Sequence, residues 1–314
     1  MHTISFRAMG SPCRIVADGC SESAVADARS LIDDLEQRWS RFLPDSEISD
    51  LNRHAGELTI VSEWTYRLVE AAADAQVRTG GLFHPLMLDQ LVELGYCSPW
   101  QERPAGGGST ATKPASSEPI ECFGPILGVR LPPGTRLDPG GIGKGLAADL
   151  ATDLLVSHGA TTTSVELGGD LRVSGQAWYG PSWRIGVADP FDDDREIAGL
   201  TINEGAVVTS STLRRRWPGE GADLHHLLDP RTGLPSESDI VAVSMCGAST
   251  AWTEVAAKAA LLAGSQQVIE VAERLGVRGI AVTASGEILG NDHAAMAAAD
   301  DRSTNQRIEQ GSLR

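Results

Sequence analysis

Aromatic residues make up only 5% of this 314-residue chain, and its five cysteines form no CxxC pair. An odd number of scattered cysteines disfavours a disulfide framework and a zinc knuckle, so we expect free thiols in a reducing compartment. No stretch approaches the ~18 apolar residues of a membrane-spanning helix, and no basic segment followed by an apolar run opens the chain. These absences predict no membrane insertion, no signal peptide and a cytoplasmic location.

Positive charge is also scarce, because 26 Lys and Arg residues face 42 Asp and Glu residues, for a formal net charge of −16. Such a surface repels nucleic-acid phosphates and anionic lipid heads, so we expect neither as a partner. An anionic ligand would need its own glycine-rich pocket with a Lys or Arg. The 41% of hydrophobic and 22% of charged residues are typical of a globular protein.

The order of apolar patterns indicates the fold class. Strand-like runs at 3–8 and 13–18, joined by a turn at 10–12, precede helical patterns that begin near Ser23, after Ser62 and at Gly143. Short strands over 164–244 are followed by helices at 250–263 and 265–275 and a strand near 279–284. Without regular βαβ alternation, we predict an α+β fold with a central, largely antiparallel sheet flanked by helices.

The domain organisation follows from composition. We predict one domain of two lobes over residues 1–300, with a flexible insertion at about 103–119 that is rich in Gly, Ser, Thr, Ala and Pro. Residues 301–314 read as a polar C-terminal tail.

A glycine-rich segment, LDPGGIGKGLAADL at 137–150, carries Lys144. Its four glycines allow close backbone approach to a ligand, and the helix that follows favours an anion at its N-terminus. It is not a Walker A motif, since no Ser or Thr follows the Lys, nor does it fit a strand–GxGxxG–helix frame. By itself, such a turn is structural about as often as it is functional.

Two adjacent histidines open the segment HHLLDPRTGLP at 225–235. A neutral histidine can accept a hydroxyl proton near pH 7. A lone histidine is more often a structural residue, and the turn residues Pro230, Gly233 and Pro235 alone would indicate only a loop.

Taken in order, several blocks resemble the FAD:protein FMN transferase (ApbE-like) family over roughly residues 9–264. They are AMGSPC at 8–13, Glu36 with Ser40-Arg41-Phe42, SEISDLN at 46–52, GLFHP at 81–85, LDPGGIGKG at 137–145, VELGGDLRVSG at 165–175, VTSS at 208–211, HHLLDPRTG at 225–233 and the alanine-rich helix ending at Gly264. The resemblance implies an enzyme that binds FAD with a divalent metal, usually magnesium. It moves FMN from FAD to a Thr or Ser hydroxyl of an acceptor protein and releases AMP.

The resemblance also implies roles for individual residues. It assigns His226 as the general base and the backbone carbonyl of Gly141 as a metal ligand. The positions matching FAD contacts are Met9, Asn52, Phe83, His84, Pro85, Asp138 and Lys144. The family commonly has Asp where this chain has His84, which is either a replacement hydrogen-bond donor to the ligand or tolerated drift.

The alanine-rich helix departs from the family pattern. The family places an Asp and a Thr, four residues apart, on the metal, whereas this chain has Glu254 and Lys258. Glu254 either ligates magnesium, with Lys258 on a phosphate oxygen of FAD beside it, or orients a Lys258 ammonium that takes the place of the cation. The plain alternative is a surface Glu–Lys pair worth only ~0.2–0.5 kcal/mol.

Two other functions fit the same residues. An FAD pyrophosphatase would use water in place of the acceptor hydroxyl and release free FMN and AMP. A non-catalytic FAD-binding protein would leave FAD intact, and the altered helix makes this alternative reasonable.

Overall fold

The computed structural model describes residues 1–99, 113–219, 223–292 and 295. The strands in chain order are β1 (His2–Ala8), β2 (Ser11–Asp18), β3 (Thr59–Ile60), β4 (Glu121–Phe123), β5 (Gly128–Arg130), β6 (Thr162–Leu167), β7 (Asp170–Gly175), β8 (Trp183–Asp189), β9 (Asp192–Ile202), β10 (Gly205–Ser211), β11 (Arg216–Pro218), β12 (Asp223–His225), β13 (Ile240–Gly247), β14 (Arg278–Thr283) and β15 (Ile288–Gly290). The helices are α1 (Glu22–Trp39), α2 (Glu47–Arg53), α3 (Glu63–Arg78), α4 (Leu88–Glu93), α5 (Gly143–Ser157), α6 (Thr250–Ala263) and α7 (Val268–Arg274).

An eight-stranded sheet forms the centre, with the strand order β1-β2-β6-β7-β10-β13-β14-β15. Every neighbouring pair in it is antiparallel. Smaller units are the three-stranded sheet β3-β5-β4 and the pairs β8-β9 and β11-β12. The expected α+β class with a largely antiparallel sheet and flanking helices is therefore confirmed.

Both faces of the central strands are buried, because consecutive strand residues point to opposite sides of a sheet. Val208 packs in the cluster that contains α6 and α7, whereas its neighbour Val207 packs in the cluster formed with the β8-β9 hairpin. A further cluster joins α1, α3 and α5 to β2 and β6. The site described below lies where the helical layer meets one end of this sheet.

Most element boundaries follow the local sequence signals. Ser62 caps α3 by accepting the N–H of Thr65 at 3.3 Å, and the helix over 250–263 is confirmed to the residue. The turn expected at 10–12 instead centres on Met9 and Gly10, both with positive φ, so β2 already begins at Ser11. The helix expected at 265–275 is shorter, since Asp239 binds the backbone N–H of Ser265.

Of the flexible insertion predicted at about 103–119, residues 103–112 lie outside the described residues. The predicted tail at 301–314 also lies outside them. Where the chain is described again, the amide of Gln90 donates to the carbonyl of Lys113 at 3.1 Å. The division into one domain and a tail stays a prediction. No helix in the described part is long and apolar enough to cross a membrane, and the cytoplasmic location stays a prediction.

Candidate active site

Two cavities, of about 490 Å³ and about 730 Å³, adjoin each other at one end of the sheet. Gly140, Lys144, Arg215, His226 and Lys258 line both of them. We call this shared wall the junction. Four separate stretches of chain supply it: the glycine turn that starts α5, the loop before β11, the loop after β12, and α6.

Lys144 forms a buried ion-pair network at the junction. Its ammonium lies 2.6 Å from Asp170 Oδ2 and 2.7 Å from Glu254 Oε1. Burial alone would lower the pKa of Lys144, but the two carboxylates outweigh it and raise this pKa. Burial in turn raises the pKa of Asp170, with Lys144 opposing the shift. At these distances the three groups hold one another in place as charged partners.

Helices α5 and α6 cap each other. Glu254 of α6 accepts the N–H of Gly145 through Oε2 at 2.9 Å, while Asp149 of α5 accepts the N–H groups of Thr250 and Ala251 at 2.8 and 3.0 Å. Each carboxylate thus satisfies backbone donors in the first turn of the other helix. The anion expected at the start of α5 is therefore, at Gly145, a carboxylate of the protein itself.

Two glycines, one in the turn before α5 and one in its first turn, permit close contact with α6. A Cβ at Gly145 would lie 2.6 Å from the Thr250 carbonyl oxygen, so the crossing of α5 and α6 requires glycine there. A Cβ at Gly141 would lie 2.1 Å from Lys258 Nζ and 2.9 Å from the Phe83 ring. The glycine turn thus leaves room for the Lys258 ammonium at the junction.

Arg41, to which the sequence assigned no role, forms an ion pair with Asp138 in the wall of the larger cavity. Arg41 Nε lies 3.3 Å from Asp138 Oδ1, and its guanidinium stacks on the rings of Phe42 and Tyr96 at 4.3 and 4.6 Å. All four residues line the larger cavity. Its wall therefore combines aromatic surface with a fixed ion pair, which suits a planar polar ligand.

Asn52 supports this wall from behind. Its amide donates to the carbonyl of Leu137 at 3.0 Å and accepts the N–H of Leu137 at 2.7 Å. Asn52 therefore fixes the backbone of Leu137, the residue before Asp138. A direct contact of Asn52 with FAD stays a prediction.

Among the other residues assigned by resemblance, Met9 and Phe83 lie at the larger cavity or beside Lys258. His84 and Pro85 instead make hydrogen bonds within the chain. Met9 lines the larger cavity, and Phe83 lies beneath Lys258, with Nζ 5.6 Å from the ring centre. His84 uses both ring nitrogens within the chain, because Nδ1 accepts the N–H of Leu86 at 3.2 Å and Nε2 lies 2.8 Å from the carbonyl of Ser116. The carbonyl of Pro85 accepts the N–H of Asp138 at 2.8 Å. Their contacts with FAD stay predictions.

The two adjacent histidines differ in their surroundings. His225 is buried, with Nε2 3.2 Å from the carbonyl of Ser236 and Nδ1 accepting the N–H of Leu227 at 3.3 Å. Burial lowers the pKa of His225 to about 4. His226 instead has a buried Nδ1 without a hydrogen-bond partner in the described part of the chain. Burial, together with Arg215 and Lys258, lowers the pKa of His226 well below its usual value, so the ring is neutral at pH 7.

Arg215 is a junction residue that the sequence analysis missed. Its charge faces Lys144, His226 and Lys258 closely enough to shift the pKa of each. The available signal was the run of three arginines at 214–216, in a chain with a net charge of −16.

The residues present do not fit a magnesium ion. Mg²⁺ prefers oxygen ligands in octahedral geometry, but Glu254 already accepts Lys144 and the N–H of Gly145 with its two oxygens. The Lys258 ammonium occupies the space beside Gly141, where it would repel a cation. Among the described residues, no three His, Cys, Asp or Glu side chains are grouped so that they could hold a metal. The assignment of Glu254 and the Gly141 carbonyl as metal ligands therefore stays a prediction that this geometry does not favour.

The chain has an α+β fold, and a neutral histidine and three cationic side chains lie where two cavities meet. These features define an enzyme site suited to an anionic ligand. The chain belongs to the ApbE family, whose model matches residues 9–282.

Individual relatives agree with this assignment. The FAD:protein FMN transferase of Klebsiella pneumoniae (strain 342) is 29% identical over 242 residues, which are 76% of this chain and 74% of that protein. The crystal structure of the ApbE protein from Thermotoga maritima has a TM-score of 0.83 at 26% identity, covering 93% of this chain and 97% of that one. The apo form of the Pseudomonas stutzeri flavinyl transferase ApbE has a TM-score of 0.78 at 23% identity, covering 93% and 94%, and shows the same fold.

Proposed function

We propose that the protein is an FAD:protein FMN transferase that moves FMN from FAD to a Thr or Ser hydroxyl of an acceptor protein and releases AMP. The observation that carries the proposal is the position of His226. Its buried Nδ1 lacks a partner among the described residues, and the ring lies at the junction with Arg215 and Lys258. A neutral base beside two cations is the arrangement that transfer of a phosphoryl-type group requires.

In the proposed reaction, the pyrophosphate of FAD lies at the junction. The acceptor hydroxyl oxygen attacks the phosphorus of the FMN half and forms a phosphoester bond. The bond between this phosphorus and the bridging oxygen breaks, and AMP leaves with that oxygen. His226 takes the hydroxyl proton, while Arg215 and Lys258 stabilise the negative charge on the phosphate oxygens.

The lowered pKa of His226 is consistent with this role. In the free protein, burial disfavours a charged imidazole, and Arg215 and Lys258 add to this effect on the pKa of His226. A bound pyrophosphate offsets both cations, so the histidine becomes a stronger base when FAD is present. Proton transfer to His226 is thereby favoured in the complex over the free enzyme.

The two cavities provide space for ligand groups on both sides of the proposed pyrophosphate position. The larger cavity is lined by Phe42, Tyr96 and the Arg41 guanidinium that stacks on both rings, and its volume of about 730 Å³ gives room for a flavin or adenine ring. The smaller cavity opens on the other side of the junction and is lined by residues 186–190 and 209–211. An acceptor segment or the second half of FAD can enter there.

The test is co-expression with candidate acceptors that carry a Thr or Ser in a loop of small residues. FMN attached to the acceptor, seen by in-gel flavin fluorescence and by intact mass, with release of AMP, supports the proposal. An acceptor in which the labelled hydroxyl residue is replaced by Ala is the matched control. Free FMN and AMP without labelling would show a pyrophosphatase, and intact FAD would show a binding protein.

A further inference from the structure

Three consecutive arginines, Arg214, Arg215 and Arg216, differ in what they contact. Arg214 forms an ion pair with Asp193, and Arg216 lies 3.9 Å from Asp223. Both of these arginines are exposed. Arg215 forms no ion pair or hydrogen bond with any residue that the structure describes. It lines both cavities, whereas Arg214 lines only the smaller one and Arg216 lines neither.

The backbone at Arg215 has φ of 50°, in the left-handed region that residues other than glycine rarely adopt. Such strain persists where the surrounding structure imposes it, and it is frequent at ligand sites. The turn separates Arg215 from its two exposed neighbours. It is a second observation, independent of charge, that distinguishes this arginine.

Lys258 is the other junction cation that has no anionic partner among the described residues. In the described ranges its ammonium has no hydrogen bond and no ion pair, and it lies over the ring of Phe83. Lys144, by contrast, is bound by both Asp170 and Glu254. The free positive charge of the junction therefore resides on Lys258 and Arg215.

We propose that the Lys258 ammonium and the Arg215 guanidinium take the place of a divalent cation in holding the pyrophosphate of FAD, an inference that rests on the proposed function. A pyrophosphate diester presents one negative charge on each phosphate, and the junction presents one free cation for each. Glu254, which a metal would need, is already bound to Lys144 and to the N–H of Gly145. The site thus binds the dinucleotide with its own side chains.

The experiment is titration calorimetry of the full chain with FAD, in excess EDTA and in excess MgCl2. We expect the two dissociation constants to agree within about threefold, because binding by Lys258 and Arg215 needs no metal. A tenfold difference would correspond to ~1.4 kcal/mol. In EDTA, Lys258→Gln and Arg215→Gln should each weaken FAD binding at least about tenfold, as expected for a lost charge-assisted hydrogen bond. FMN keeps only one of the two phosphates, so its binding should weaken in only one of the two variants.

Arg216→Gln is the matched control, because it removes the same charge from an exposed neighbour. We expect FAD binding within about twofold of the unchanged protein, well below one tenfold step. Thermal melting of each variant shows whether it is folded.

A tenfold or larger loss of FAD binding by the unchanged protein in EDTA would overturn the inference. So would unchanged FAD binding in folded Lys258→Gln and Arg215→Gln. FMN transfer is measured separately on the same samples. Metal-free FAD binding without any transfer would contradict the proposed function and leave this inference standing.

Discussion

Lys144 and Glu254, which are 110 residues apart in the chain, lie 2.7 Å from each other in the folded protein. Replacing Lys144 by Met removes the cation that Glu254 and Asp170 share and leaves two buried carboxylates side by side. We expect Lys144→Met to lower the free energy of unfolding by ~3–5 kcal/mol. Urea unfolding measures this loss.

Arg29→Met is the control for the loss of one positive charge. Arg29 and Asp33 form an exposed pair at 3.5 Å, for which we expect a loss of only ~0.3–0.5 kcal/mol. A loss below about 1 kcal/mol in Lys144→Met would contradict the prediction, because exposed ion pairs contribute only that much.

His226→Ala should leave FAD binding within a few-fold and lower FMN transfer by ~10²–10⁴, the usual contribution of a positioned base. His225→Ala should instead lower stability by ~1–3 kcal/mol, because it removes a buried ring that accepts the N–H of Leu227. The turnover of folded His225→Ala should stay close to that of the unchanged protein. Steady-state transfer rates and thermal melting check the pair, and equal effects on turnover would disprove the assignment of the base.

The pH dependence of transfer follows from the lowered pKa of His226. A lowered pKa keeps the base form at pH 7, so kcat/KM should be flat through neutral pH and fall only in acid, with an apparent pKa below the ordinary 6.5 of histidine. Bound FAD offsets Arg215 and Lys258, so the fall in kcat should begin at a higher pH than the fall in kcat/KM. Rates at low and at saturating FAD give the two profiles. If the apparent pKa of the acid fall in kcat equals or lies below that of the fall in kcat/KM, the role of the two cations is contradicted.

Gly141→Ala should weaken FAD binding at least about tenfold, since the added methyl group occupies the position of Lys258 Nζ. Overpacking against Phe83 should also cost ~1–3 kcal/mol of stability. Gly143→Ala lies in the same turn, and its Cβ would meet nothing closer than 3.6 Å. We therefore expect Gly143→Ala to be neutral or stabilising by up to ~1 kcal/mol. Melting curves and FAD titration check both variants, and a similar response from both would contradict the specific contact.

Local signals predicted much of the fold. The signals for the cap at Ser62 and for the helix over 250–263 lie in neighbouring residues, and the structure has both. The helix α2 was not predicted, although Ser46 caps it by accepting the N–H of Ser49 at 3.0 Å. Its apolar positions are too few to produce a periodic pattern, so its packing with α1 stabilises it.

The site was less accessible from sequence. The pairing of Lys144 with Asp170 and Glu254 joins distant segments, and no local pattern encodes it. Family resemblance pointed to His226, but its distinction from His225 on physical grounds required the positions of their hydrogen-bond partners. Arg215 could not be distinguished from the arginines on either side of it, because only the turn geometry separates the three.

The mutual capping of α5 and α6 has a consequence for how a ligand is received. Asp149 and Glu254 tie the first turns of the two helices together, so Lys144 and Lys258 project from what is mechanically a single body. A ligand at the junction therefore meets a Lys258 ammonium whose position relative to the start of α5 is set before the ligand arrives. Little backbone freedom remains to be lost on binding, and the affinity of the site is spared that entropic cost.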